Sequence, residues 1–271
     1  MALAEQSVSY TAEVSVSGRA QAAATMREWR NGTRRRVEYL SPSIRRGDLV
    51  VADGNAVYTY HRAENSAVQT RMDGGRINWP RLEKQFKVAT LGEDRVAGRA
   101  AWMVGLHALN DGHLVRKLWI DEGNFTRLRV ERFGRLGRTL EDIALTDVHF
   151  ASVDNEEFVW HAPPGAKLET SAGINYATLD AAHQAAPWMQ FPHDPPSDYA
   201  FESAVIGGGR IWLRYSNGLS RFSLFQEQAS GEADAPAQAH GDSWFWRRAG
   251  YRFLLVGLPQ EQAAAVIESV R

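Results

Sequence analysis

Residues 95–121 read RVAGRAAWMVGLHALNDGHLVRKLWID. Two apolar-rich runs flank the polar tip Asn110-Asp111-Gly112, which is the pattern of a β-hairpin. Side chains alternate across a strand. Trp102, Val104 and Leu106 therefore share one face of the first run. Leu118 and Ile120 share a face of the second, with Lys117 and Trp119 on the opposite side. Neither run is clean enough for an ordinary one-sided sheet. The hairpin either fills a core from both sides or offers one side to an apolar ligand.

Working outward, the same grammar repeats. Val8, Tyr10, Ala12, Val14 and Val16 fall on one parity, so residues 7–17 are expected as a strand. Runs at 20–30 and 33–40 flank Asn31-Gly32, a strong hairpin signal. Two short strands surround Asp53-Gly54. Gly74, Gly75 and Trp79-Pro80 break the pattern, and Pro80 suits the first turn of a short helix over 80–86. Strands are expected at 86–91, 100–109, 113–121, 126–133, 138–150 and 157–160. Their short turns imply antiparallel pairing in chain order. A sheet of nine or more strands curls.

The second part is smaller. Residues 169–196 hold four prolines and read as a linker, with a short helix at YATLDAAHQAA. RIWLRYS and LSRFSLFQE form a hairpin about Asn217-Gly218. ASGEADAPAQAHGD reads as a mobile low-complexity loop. Two further strands follow in SWFWRRAGYRFLLVG. The end, LPQEQAAAVIESVR, is an amphipathic helix with Pro259 near its start and Ala263, Val266, Ile267 and Val270 on one side. The expected domains are thus 1–168 and 197–271, and the fold class is mainly β with a few helices (α+β).

Composition narrows function. The chain has 271 residues, 44% hydrophobic and 23% charged, with a formal net charge of −1. No global field recruits nucleic acid. No apolar run reaches the eighteen or so residues of a membrane span. The start, MALAEQSVSY, is too short and polar for a signal peptide. The expectation is a cytoplasmic protein or the mature form of an exported one. Cysteine is absent, which removes thiolate chemistry and disulfides.

Catalytic patterns are missing too. No G-x-S-x-G elbow or Ser-x-x-Lys occurs, and IGGGR at 206–210 lacks the Lys-Ser/Thr of a phosphate loop. His107 and His113 flank a turn, and His183 and His193 lie in the Pro-rich stretch. Neither pair has zinc spacing. No catalytic residue, metal or cofactor is expected, and the chain is read as non-enzymatic. Two features remain. Arg34, Arg35 and Arg36 make the first third locally basic, fitting either a solvated face or an anionic partner. Aromatic residues crowd the first unit, Tyr58 and Tyr60 among them. They fill a dry core or line an apolar groove together with Trp102, Val104, Leu106, Leu118 and Ile120.

Several stretches resemble the MucB/RseB family of periplasmic regulators of the sigma-E envelope-stress response. These are the Arg95–Arg99 lead-in to a strand, the Trp119–Glu122 strand end, and the turn into Thr139-Leu140-Glu141. Tyr215–Leu219 is similar to the hairpin tip of that family's second domain. The resemblance implies a curled half-barrel akin to lipoprotein carriers, with covering helices, and a small β-sheet and helix domain. It also implies a periplasmic location, at most peripheral to the membrane, and binding to the periplasmic part of an anti-sigma factor. Lipid or acylated ligands would compete for the protein. The other reading that fits is a periplasmic lipid or lipoprotein carrier built on the same half-barrel.

Overall fold

The computed structural model describes residues 7–271 apart from 19–22, 73–78, 135, 171–172, 230, 241–242 and 259. The glycine break at 74–75 and Pro259 lie outside the described residues. The chain divides into two compact units, 1–76 with 86–171, and 77–85 with 172–271. The short helix α1 (Trp79–Gln85), expected over 80–86, belongs to the second unit.

The first unit is one sheet of twelve strands. In chain order they are β1 (Ser9–Ser17), β2 (Ala24–Asn31), β3 (Arg34–Ser41), β4 (Leu49–Ala52), β5 (Ala56–His61) and β6 (Ser66–Arg71). Then come β7 (Phe86–Val96), β8 (Arg99–Ala108), β9 (Leu114–Asp121), β10 (Arg127–Phe133), β11 (Thr139–His149) and β12 (Lys167–Thr170). Their spatial order is β12-β6-β5-β4-β3-β2-β1-β11-β10-β9-β8-β7. Two meanders, β1–β6 and β7–β11, are joined side by side through the β1–β11 pair. The turn between β2 and β3 is Gly32-Thr33, with Gly32 at φ +60°. Glycine adopts that left-handed geometry without a Cβ penalty. Register shifts at Glu13/Val14, Thr25/Met26, Thr90/Gly92, Leu106/His107 and Arg127/Arg129 add local twist, so this open sheet curls.

The alternation seen in β1 is real. Tyr10, Ala12, Val14 and Val16 are buried and pack with Met26, Val37 and Leu145 in one cluster. A charged network sits within it. The Tyr10 hydroxyl donates to Glu28 Oε1 at 2.9 Å, and Arg35 Nη2 donates to Oε2 at 2.8 Å. Three expectations differ in this unit, one being that β12 was not foreseen. β6 was not foreseen, because SAVQTR is neither strongly apolar nor strongly alternating. The strand expected at 157–160 is a 3-10 turn over Asn155–Phe158 instead. Asp154 Oδ1 caps it by accepting from Glu156 N at 3.1 Å, and Phe158 is buried.

The second unit has seven strands: β13 (Ile174–Tyr176), β14 (Ala200–Gly207), β15 (Arg210–Ser216), β16 (Arg221–Gln228), β17 (Ala235–His240), β18 (Ser243–Arg248) and β19 (Tyr251–Val256). The order is β13-β14-β15-β16-β19-β18-β17. Helices α2 (Leu179–Ala185) and α3 (Gln260–Ser269) complete it. Ala263, Val266, Ile267 and Val270 are all buried in its core with Ile211, Leu213, Phe222, Leu224 and Leu255, as the helical periodicity predicts. Two stretches carry more structure than their composition suggested. The presumed linker contains β13 besides the helix expected there, α2, which is capped by Thr178, whose hydroxyl accepts from Ala181 N at 3.3 Å. The presumed mobile loop contains β17, which pairs with β18.

Gln226 explains how the proline-rich stretch is held. Its side chain is almost wholly buried. Oε1 accepts from Gln190 N at 3.0 Å, and Nε2 donates to Trp188 O at 3.4 Å. Gln226→Leu keeps the volume but leaves two half-buried backbone groups without this partner. The expected cost is about 1–3 kcal/mol, read as a lower urea midpoint with unchanged slope.

Candidate ligand-binding face

The hairpin quoted at the outset is β8 and β9, and its pairing settles which side chains share a face. Trp102 lies directly opposite Ile120, Val104 opposite Leu118, and Leu106 opposite Arg116. Five of the predicted groove residues therefore form one patch. β10 and β7 extend it, because Val130 lies opposite Leu118 and Val88 opposite Leu106. The row continues through Ile143 to Val16 and Ala24. From Val104 to Ala24 it crosses six strands with an apolar side chain at each. At the usual strand spacing that is about 24 Å measured along the sheet.

Burial within the patch is graded. Leu106, Leu118 and Ile120 are buried, whereas Trp102, Val104 and Val130 are half-buried. Phe125, in the turn after β9, holds its ring 5.7 Å from that of Trp102 and is 48% exposed. Val88 is 56% exposed. Exposed apolar groups beside a buried apolar row are what a site for an apolar ligand requires.

The opposite face of the same strands has a different chemistry. Trp119 is buried, and its indole N–H donates to Asp94 Oδ2 at 2.9 Å. Lys117 and Arg129 lie over its ring at 4.4 and 4.6 Å. The Trp119 indole most of all, then the Arg95 backbone N–H and the Lys117 and Arg129 charges, hold the Asp94 carboxyl below its ordinary value. At the strand end, Asp121 binds Arg99 through both oxygens and accepts from Gly123 N and Asn124 N. Burial alone would raise the Asp121 pKa, but Arg99 and these amides bring it down. This arrangement fixes the turn that carries Phe125.

Tyr58 and Tyr60 are not brought to the patch. Tyr58 lies opposite Val51, Val51 opposite Arg36, Arg36 opposite Trp29, and Trp29 opposite Thr11. Thr11 and Val16 have opposite parity on β1, so the two tyrosines occupy the other face of the sheet. There Tyr58 stacks on Trp160 at 5.0 Å, and the Tyr60 hydroxyl donates to Asn65 Oδ1 at 2.9 Å.

The three arginines divide as a strand demands. Arg34 donates to Asn155 Oδ1 at 2.6 Å, and Arg36 donates to Glu157 O at 3.3 Å while lying over the Trp29 ring. Arg35 faces the other way, onto Glu28. Each therefore holds a partner within its own unit. Among the described residues, no three His, Cys, Asp or Glu side chains come together as a metal site. Phe125 and Val130 were missed in the sequence; only the register brings them to the patch.

Comparisons place this architecture. The family profile described as MucB/RseB N-terminal domain matches residues 1–167. The crystal structure of MucB superposes with a TM-score of 0.70 at 20% identity, covering 100% of this chain and 94% of that one. MucB from Pseudomonas aeruginosa, solved as a MucA/MucB complex, gives 0.67 at 18% identity over 100% of this chain and 95% of that one. MucB in complex with MucA(peri) gives 0.66 at 18% identity, with the same coverage. Among curated proteins, uncharacterized protein MJ0687 of Methanocaldococcus jannaschii is 27% identical over 137 residues, 46% of this chain. The chain spans only 39% of that relative's length. The profile covers well over half of the sequence, and on that ground the chain belongs to the MucB/RseB family.

Proposed function

We propose that the chain is a non-enzymatic, extracytoplasmic binding protein that regulates an envelope-stress sigma factor. In this reading it holds the periplasmic segment of an anti-sigma factor and takes up a lipid on the apolar face of its large sheet. The observation that carries the lipid half is the row from Val104 to Ala24, flanked by half-buried Trp102 and exposed Phe125. Family membership supports the partner half, since MucB has been solved with MucA(peri).

Titration calorimetry with the purified periplasmic segment of the cognate anti-sigma factor tests the partner half. Saturable binding is expected, weakened when an acylated ligand is added. No heat above dilution for the cognate segment would overturn it. Acyl chains in native mass spectra of envelope-purified protein, together with no segment binding, would identify the carrier reading instead.

A further inference from the structure

One end of the large sheet collects the most exposed aliphatic side chains of the described residues. From β5 to β8 in spatial order each strand runs antiparallel to its neighbours, so β1, β3, β5, β8 and β10 all run one way. The tips that follow β3, β5, β8 and β10 therefore lie at the same end. Ile44 is 79% exposed in the 3-10 turn Ser43–Arg45 after β3, and Leu136 is 84% exposed in the turn after β10. No other large apolar side chain among the described residues is as exposed as these two. Leu109, in the tip after β8, is exposed as well. Arginine accompanies the first two: Arg45 and Arg46 follow Ile44 directly, and Arg138 lies two residues after Leu136. Arg46, Arg138, Arg62 in the tip after β5, and Lys87 at the start of β7 are all exposed at this end. Of the acids in these tips, Asp48 is buried against Arg45, Asp111 is bonded to His113, and Glu64 is exposed. The hairpin turns of the other end, 32–33, 53–55, 97–98 and 122–126, hold Asp53 and Glu122 and neither lysine nor arginine.

From this placement we propose that the end of the sheet carrying Ile44, Leu109 and Leu136 docks on an anionic bilayer surface. Spacing favours a bilayer over a folded protein. Neighbouring tips are two strands apart, and at the usual strand spacing that puts Leu109 and Leu136 about 10 Å apart and Leu136 and Ile44 about 20 Å apart along the sheet. Side chains so far apart make no contiguous patch for a protein partner to cover. A bilayer interface admits each aliphatic side chain singly. The arginine beside it meets lipid phosphates through paired N–H donors. Charge sets the orientation, because the basic end and not the acidic one is drawn to an anionic surface. None of these side chains belongs to the apolar patch, so the inference stands apart from the lipid half of the proposed function.

The full chain would be sedimented with vesicles of phosphatidylcholine alone, or with about 30% phosphatidylglycerol added, at low salt and at about 0.5 M salt. Anionic vesicles are expected to bind it about tenfold tighter than neutral ones, and high salt should erase the difference. Ile44→Ser/Leu136→Ser should weaken binding to anionic vesicles about tenfold, with the urea midpoint and fluorescent fatty-acid uptake unchanged. Arg46→Gln/Arg138→Gln should bring anionic vesicles down to the neutral level. Ile174→Ser removes an exposed apolar side chain of the second unit and should leave vesicle binding as it is. The assignment is overturned if the parent chain binds no vesicles, or binds both kinds equally at low salt. It also fails if the Ile44/Leu136 pair binds as the parent does, or if Ile174→Ser loses as much as that pair. Loss of fatty-acid uptake in the Ile44/Leu136 pair would mean that vesicle lipid is held on the sheet face, which overturns this inference and leaves the lipid reading standing. Vesicle binding as expected, with no fatty-acid uptake by the parent chain, removes the lipid reading alone.

Discussion

Trp119→Ala is expected to cost about 3–5 kcal/mol of stability, whereas Trp102→Ala, on a paired strand of the same hairpin, should cost about 1 kcal/mol and abolish most lipid uptake. The contrast follows from the two faces. Trp119 is 2% exposed, donates to Asp94 and has Lys117 and Arg129 over its ring. Its removal opens a cavity and takes a hydrogen-bond donor away from the Asp94 carboxylate that the indole had stabilised. Trp102 is half-buried, and its close ring neighbour is the exposed Phe125. Its truncation leaves a dent that water can enter rather than a sealed void. Urea unfolding and titration with a fluorescent fatty acid measure both quantities. A Trp102→Ala chain that keeps full uptake would remove Trp102 from the ligand face. A loss of 3–5 kcal/mol in that variant would make it plain core.

Glu28→Gln is expected to destabilise the first unit by roughly 3 kcal/mol at neutral pH, through loss of a buried charge pair and weakening of the Tyr10 contact. Arg35 is only half-buried, with 46% of its side chain exposed, which keeps the figure at the low end. The effect carries a pH signature. Burial alone would raise the Glu28 pKa, but Arg35, then Arg30 and the Tyr10 hydroxyl, more than offset this and hold it below the ordinary value. Burial beside Glu28 pushes the Tyr10 phenol up, so it stays protonated as a donor. A carboxyl depressed in the folded state stabilises fully above its unfolded pKa of about 4.3. That stabilisation is lost as pH falls through the depressed folded value. The gap in urea midpoint between the parent chain and Glu28→Gln should therefore be constant near neutrality and close in acid. A gap that widens in acid would refute the assignment.

Much of the fold was legible because strand and turn signals are local. Alternation in Tyr10–Val16, the glycine turn after Asn31, and the helical spacing of Ala263, Val266, Ile267 and Val270 each report which side of an element is buried. Each survives in the structure because tertiary packing agrees with local preference. The misses are the converse. SAVQTR and APAQAH have weak local preference and become β6 and β17 by pairing with a neighbour already in place. Phe158, Val159 and Trp160 are apolar enough for a strand, but the Asp154-capped 3-10 turn over Asn155–Phe158 takes up the start of that run.

The candidate site divides in the same way. By itself the sequence determined that Trp102, Val104 and Leu106 lie together and that Leu118 and Ile120 lie together, since parity within one strand is a property of the backbone. Only the tertiary structure decided that these two sets face each other and that Tyr58 and Tyr60 look away. Register between strands depends on hairpin length, on bulges such as Arg127/Arg129, and on the β1–β11 pair that joins the two meanders. A shift of one residue would send every one of these side chains to the other face.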